Sequence, residues 1–61
     1  MWIARNKDNL LMSFKRRPLR DKTLGIFKEA ETGDFISLLP NTSFLDVTWE
    51  NSPRKVKNKL I

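Results

Sequence analysis

The stretch "WIARNKDNLLMSF", Trp2 to Phe14, decides the fold class, because it is built as strand, turn and strand within thirteen residues. Trp2-Ile3-Ala4-Arg5 is a short β-favouring run. Asn6-Lys7-Asp8-Asn9 is a turn cluster, since Asn and Asp tolerate left-handed backbone angles and bond to their own main chain. Leu10 to Phe14 then alternates, with Leu10, Met12 and Phe14 on one face and Leu11 and Ser13 on the other. The three pieces together predict a β-hairpin.

The rest of the chain repeats this grammar. Lys15 to Leu24 is polar and contains Arg17-Pro18, where the proline removes a backbone donor and pushes the preceding residue to extended angles, so it is expected as a loop or an irregular edge. Gly25 opens a third strand, Ile26 to Ala30. Glu31-Thr32-Gly33-Asp34 has the composition of a hairpin turn, and Phe35 to Leu39 is the fourth strand, stopped by Pro40. Residues 41–46 are the one place for a single helical turn, capped by Asn41 or Thr42. Val47-Thr48-Trp49 favours β structure, Glu50-Asn51-Ser52-Pro53 breaks it, and Arg54 to Ile61 alternates as a last strand with Lys55, Lys57 and Lys59 facing water. The expected fold is mainly β: one domain over residues 1–61, a small antiparallel meander of about five strands curled into a sandwich or open barrel.

Length and composition narrow the function. A chain of 61 residues buries only about 60% of its unfolded surface, so its stability should be about 3–5 kcal/mol. With neither Cys nor His, disulfides, thiolate metal sites, imidazole ligands and the commonest general base are all missing. Ser13, Ser37, Ser43 and Ser52 have no histidine to activate them. Gly25 and Gly33 are the only glycines and make no phosphate-cradling loop. Asp46 and Glu50, or these with Glu29, Glu31 and Asp34, are the candidates for acid–base work or cation binding, but they lack calcium-loop spacing. A cap for Asp46 and a turn acid for Glu50 are the more economical assignments. No catalytic residue, cofactor, metal or small-molecule substrate is assigned.

No apolar run approaches a membrane span, and residues 1–5 lack the basic start and apolar stretch of a signal peptide, which makes the cytoplasm the default compartment. The net charge of +5 is unevenly spread. Lys15, Arg16, Arg17 and Arg20 crowd one segment and Arg54, Lys55, Lys57 and Lys59 another, whereas 29–50 holds acids and no cation. These eight cations are the candidate contacts for a partner. The two basic segments could contact phosphates, with Phe14, Phe27 or Trp2 offering stacking surface. The competing explanations are a solvated loop and a lysine-protected sheet edge. Trp2 and Trp49 are either hot-spot anchors or, the preferred reading, core.

Met1-Trp2-Ile3-Ala4-Arg5-Asn6-Lys7-Asp8 and Val47-Thr48-Trp49-Glu50-Asn51-Ser52-Pro53, joined through Arg17-Pro18 and Arg20-Asp21, resemble a group of small uncharacterised proteins of Bacteroides-type gut bacteria and their mobile elements. That group commonly begins with an "ARDKDG" segment and closes with "LFPDVTWENSP" and an alternating strand. Here Asn9 stands for the turn glycine, whose backbone angles it can adopt, and Phe44-Leu45-Asp46 lacks the proline. The resemblance implies an intracellular accessory protein and carries no functional residue with it. The sequence thus leads to a noncatalytic interaction module that binds a protein partner or itself through a sheet edge or face. The alternative is weak, sequence-nonspecific nucleic-acid binding through the basic segments 15–22 and 54–59.

Overall fold

A computed structural model of the chain describes residues 1–57. Over them the protein is all-β, with strands β1 (Trp2–Arg5), β2 (Leu11–Phe14), β3 (Leu19–Asp21), β4 (Ile26–Lys28), β5 (Phe35–Leu39) and β6 (Arg54–Lys55). Every pairing is antiparallel, in a four-stranded sheet of order β5-β2-β1-β6 and a two-stranded sheet β3-β4. The molecule measures 36 × 26 × 16 Å.

The opening hairpin forms as its sequence dictates. Trp2 pairs with Phe14 and Arg5 with Leu11. The Asn6 amide donates to the Leu10 carbonyl (2.8 Å), and Asn9 takes the positive φ of 79° that its place in the turn requires. The alternation of β2 is also as expected, but both of its faces are covered, one by Val47 of the segment between β5 and β6 and the other by Phe27 of the β3-β4 hairpin. Leu11 and Ser13 are buried on one side and Phe14 on the other, whereas Leu10, at the strand's mouth, is 39% exposed. A buried Ser13 is tolerated because its hydroxyl lies 3.2 Å from both the Ser37 carbonyl and the Ser37 hydroxyl.

Two small cores follow from this double covering. Ile3, Leu11 and Val47 form one, with Met1, Leu39 and Val56 at its margin. Ala4, Phe14 and Phe27 form the other, with Trp2, Met12 and Trp49 around them. The second core lies under the β3-β4 hairpin, which docks on β1 through the Phe27 amide donating to Asn6 Oδ1 (2.8 Å) and the Lys7 amide donating to the Gly25 carbonyl (2.9 Å). Gly25 has φ +70° and a Cβ there would meet Lys7 Cβ at 3.2 Å, so the close approach needs glycine.

Several local expectations differ in detail. Leu19–Asp21, expected within a loop or an irregular edge, is a strand of the two-stranded sheet, and Pro18, which precedes it, costs the β3-β4 ladder nothing. Glu31 to Asp34 does not close a hairpin; β4 pairs with β3 and β5 with β2, so this turn carries the chain from one sheet to the other. Glu29 Oε1 accepts from the Gly33 and Phe35 amides and Asp34 Oδ2 from the Glu31 amide, which fixes that crossing. Residues 41–46 form two successive reverse turns in place of a helical turn, closed by Ser43 N–H to the Pro40 carbonyl and Val47 N–H to the Phe44 carbonyl. The last strand is Arg54–Lys55, and the expectation for 58–61 lies outside the described residues.

Candidate interaction surfaces

β5 and β6 lie at opposite edges of the four-stranded sheet, so the segment between them must cross one face. It is held there by Arg5. Arg5 shares the face of Ile3 and is 5% exposed. Its Nε donates to the Val47 carbonyl (2.6 Å), Nη1 to the carbonyls of Asn9 and Asn41 (both 3.1 Å), and Nη2 to those of Ser43 (2.9 Å) and Phe44 (3.1 Å). No carboxylate pairs with it among the described residues. Five backbone carbonyls, one from the Asn6–Asn9 turn and four from residues 41–47, take the place of a counter-ion. The Arg5 amide continues the arrangement by donating to Ser52 Oγ (3.2 Å), whose hydroxyl turns to the Thr48 carbonyl. Composition gives no hint of this role. The one sequence signal is that Arg5 alternates onto the same face as Ile3.

The expected contact cations divide into two kinds. Arg16 pairs with Asp34 (2.9 Å) and Glu31 (3.4 Å), and Arg54 pairs with Asp46. Arg20 lies over Trp49 at 4.6 Å and Phe27 at 5.3 Å while donating to the Ser52 carbonyl (2.8 Å), so it ties the segment from Trp49 to Ser52 to the β3-β4 hairpin. These three are structural. Lys15, Arg17, Lys55 and Lys57 are exposed and make no ion pair among the described residues. Lys59 lies outside those residues.

The aromatic stacking surface expected beside the cations is not available. Phe14 and Phe27 are buried, Arg17 covers Trp2 at 5.3 Å, and Arg20 covers Trp49. Both tryptophans are half-buried at the margin of the second core, so they serve as lids on it. Val47 and Trp49, expected in one core, sit in different ones.

The acids are engaged in structure as well. Lys28 Nζ lies 2.9 Å from Asp21, and that bond, with the Leu24 amide, holds the Asp21 carboxyl below its ordinary range. Arg54 does the same for Asp46, whose backbone carbonyl also accepts from Asn51 Nδ2. Asp46 is therefore an ion-pair partner, not a helix cap. No group of three or more His, Cys, Asp or Glu residues is placed to hold a metal among the described residues. Two depressions are open to solvent: about 510 Å³ over Leu19 to Lys22 and Lys28, and about 280 Å³ between the Asn6–Asn9 turn and the segment from Leu45 to Glu50.

The remaining surface feature is the β5 edge. Phe-Ile-Ser-Leu-Leu carries no charge, and Phe35, Ile36 and Leu38 are 41, 46 and 59% exposed. A bulge at Ile36 leaves Ser37 to Leu39 in regular register. Leu24 and the adjacent pair Phe44-Leu45 are also exposed, in turns. No family model matches the chain, and no curated protein or solved structure matches it. Among the described residues no helix is long and apolar enough to cross a membrane.

Proposed function

We propose that the protein is a noncatalytic interaction module that associates with a second copy of itself along β5. The observation that carries this reading is an uncharged edge strand with three large apolar side chains 41, 46 and 59% exposed. Edges are ordinarily blunted by lysines, which here mark the other edge, at β6. Charge favours a like partner. An antiparallel two-fold pairing centred on Leu38 sets Ser37 opposite Leu39 of the second copy. It also sets Gly33 and Asp34 of each chain opposite the uncharged Ser43 and Thr42 of the other. Lys55 and Lys57 of both copies then lie at the outer edges. With Ile36 bulged and Pro40 lacking an N–H, the regular ladder is short, so the interface is of the small class and its affinity micromolar or weaker.

Sedimentation velocity across a wide concentration range tests the reading. Dimer forming with concentration, and lost in Leu38→Lys while circular dichroism stays unchanged, supports it. A wild-type monomer at millimolar concentration refutes it, and so does a dimer that Leu38→Lys leaves intact. The intracellular accessory role is the part of this reading that rests on resemblance alone.

A further inference from the structure

Four of the exposed cations that make no ion pair among the described residues, Lys15, Arg17, Lys55 and Lys57, are far apart in sequence and close in the fold. Trp2 pairs with Phe14 on one side and Lys55 on the other, since β1 lies between β2 and β6. The chain therefore leaves β2 through Lys15 to Arg17, and leaves β6 through Val56 and Lys57, at the same end of the sheet. The Val56 amide donating to the Met1 carbonyl (2.9 Å) carries the β1-β6 alignment one residue further. Two strand spacings, about 10 Å, separate β2 from β6, a width comparable to the run of a few phosphates along a nucleic-acid strand. The acids nearest this end are already used: Asp34 and Glu31 by Arg16, and Glu29 by the Gly33 and Phe35 amides.

We propose that the end of the sheet formed by Lys15, Arg17, Lys55 and Lys57 binds the phosphodiester backbone of nucleic acid without reading its bases. Arg17 is the organised member of the set, because Trp2 holds its guanidinium 5.3 Å above the indole ring, which reduces the side-chain freedom lost on binding phosphate. The same contact covers the ring face on which a base would stack, and Phe14 is buried, which leaves Phe35, paired with Phe14 on the side away from β6, as the exposed ring near this end among the described residues. Stacking on Phe35 would tolerate any base, so the attraction is mainly electrostatic and carries no base readout. The surface is distinct from the β5 edge and does not depend on association there.

Fluorescence anisotropy with labelled single- and double-stranded oligonucleotides, titrated across salt concentrations, tests the proposal. Four phosphate contacts give a slope of log K against log salt of about −3.6 for duplex and about −2.8 for single strands. Binding should be independent of base sequence. Arg17→Gln and Lys55→Gln should each flatten the duplex slope by about 0.9. Lys22→Gln should leave it unchanged, because Lys22 sits in the β3-β4 turn beside Gly25, which bonds Lys7 at the opposite end of β1. Circular dichroism of each variant verifies the fold. The proposal is overturned by no binding at low salt, by Lys22→Gln weakening binding as much as Arg17→Gln, or by phosphatidylserine vesicles binding where oligonucleotides do not.

Discussion

Replacing Arg5 by methionine removes all of its side-chain donors while keeping much of its apolar stem, so the substitution isolates the carbonyl cage from packing. The bond from Nε to the Val47 carbonyl is fully buried, and stranding that acceptor costs about 1–3 kcal/mol. The carbonyls of Asn9, Asn41, Ser43 and Phe44 are partly buried. They recover some water, so their four bonds together contribute about 2 kcal/mol more. Relief from burying a guanidinium offsets part of that sum. The expected net loss is about 3 kcal/mol, which approaches the entire stability of a domain this size. Urea denaturation followed by tryptophan fluorescence reads it directly, because Trp2 and Trp49 both border the second core. Hydrogen exchange supplies a local check: the Val47 amide, bonded to the Phe44 carbonyl, should lose protection first. A loss below about 0.5 kcal/mol for Arg5→Met, with an unchanged urea slope, would show that the cage does not hold the crossing segment.

Three further outcomes follow from the same geometry. Gly25→Ala should destabilise by about 1–2 kcal/mol in thermal unfolding, since alanine must adopt φ +70° and its methyl meets Lys7 at 3.2 Å; an unchanged melting temperature would contradict the close approach. Asp21 and Asp46 are held below their ordinary value of 3.8 in the folded state, so their contribution is present above that value. It falls as pH drops through 3.8 towards their folded values, because the unfolded chain takes up protons first. Asp21→Asn should therefore shrink the loss of stability on acidification, and identical acid profiles for the variant and the wild type would remove this role. Arg20→Gln should loosen the docking of the Trp49 to Ser52 segment on the β3-β4 hairpin and shift Trp49 emission to longer wavelength; unchanged emission would argue against the stack.

What the sequence disclosed was local. The Leu10 to Phe14 alternation and the Asn6 to Asn9 turn specify a hairpin by themselves, and Asn9 takes its positive φ for a reason visible in its side chain. Alternation cannot reveal how many faces a strand will bury, so Leu11 and Ser13, expected on the second face, turn out as buried as Phe14. Pairing partners were equally hidden, because they depend on contacts between residues far apart in the chain. Nothing within Phe35 to Leu39 says that it joins β2 instead of the strand before it. The candidate surfaces followed the same division. Both basic segments were legible as charge, but their meeting beside Trp2 depends on β1 separating β2 from β6, and the removal of Arg16, Arg20 and Arg54 into structural contacts depends on the same topology.

Isotope-filtered NMR on a mixture of labelled and unlabelled chains tests the association at β5 most directly. The account predicts intermolecular cross-peaks between Leu38 methyl groups of the two copies, together with slowed exchange of outward-facing amides between Ser37 and Leu39 as concentration rises. Intermolecular cross-peaks confined to residues outside β5, or none at concentrations where the protein sediments as a dimer, would contradict it.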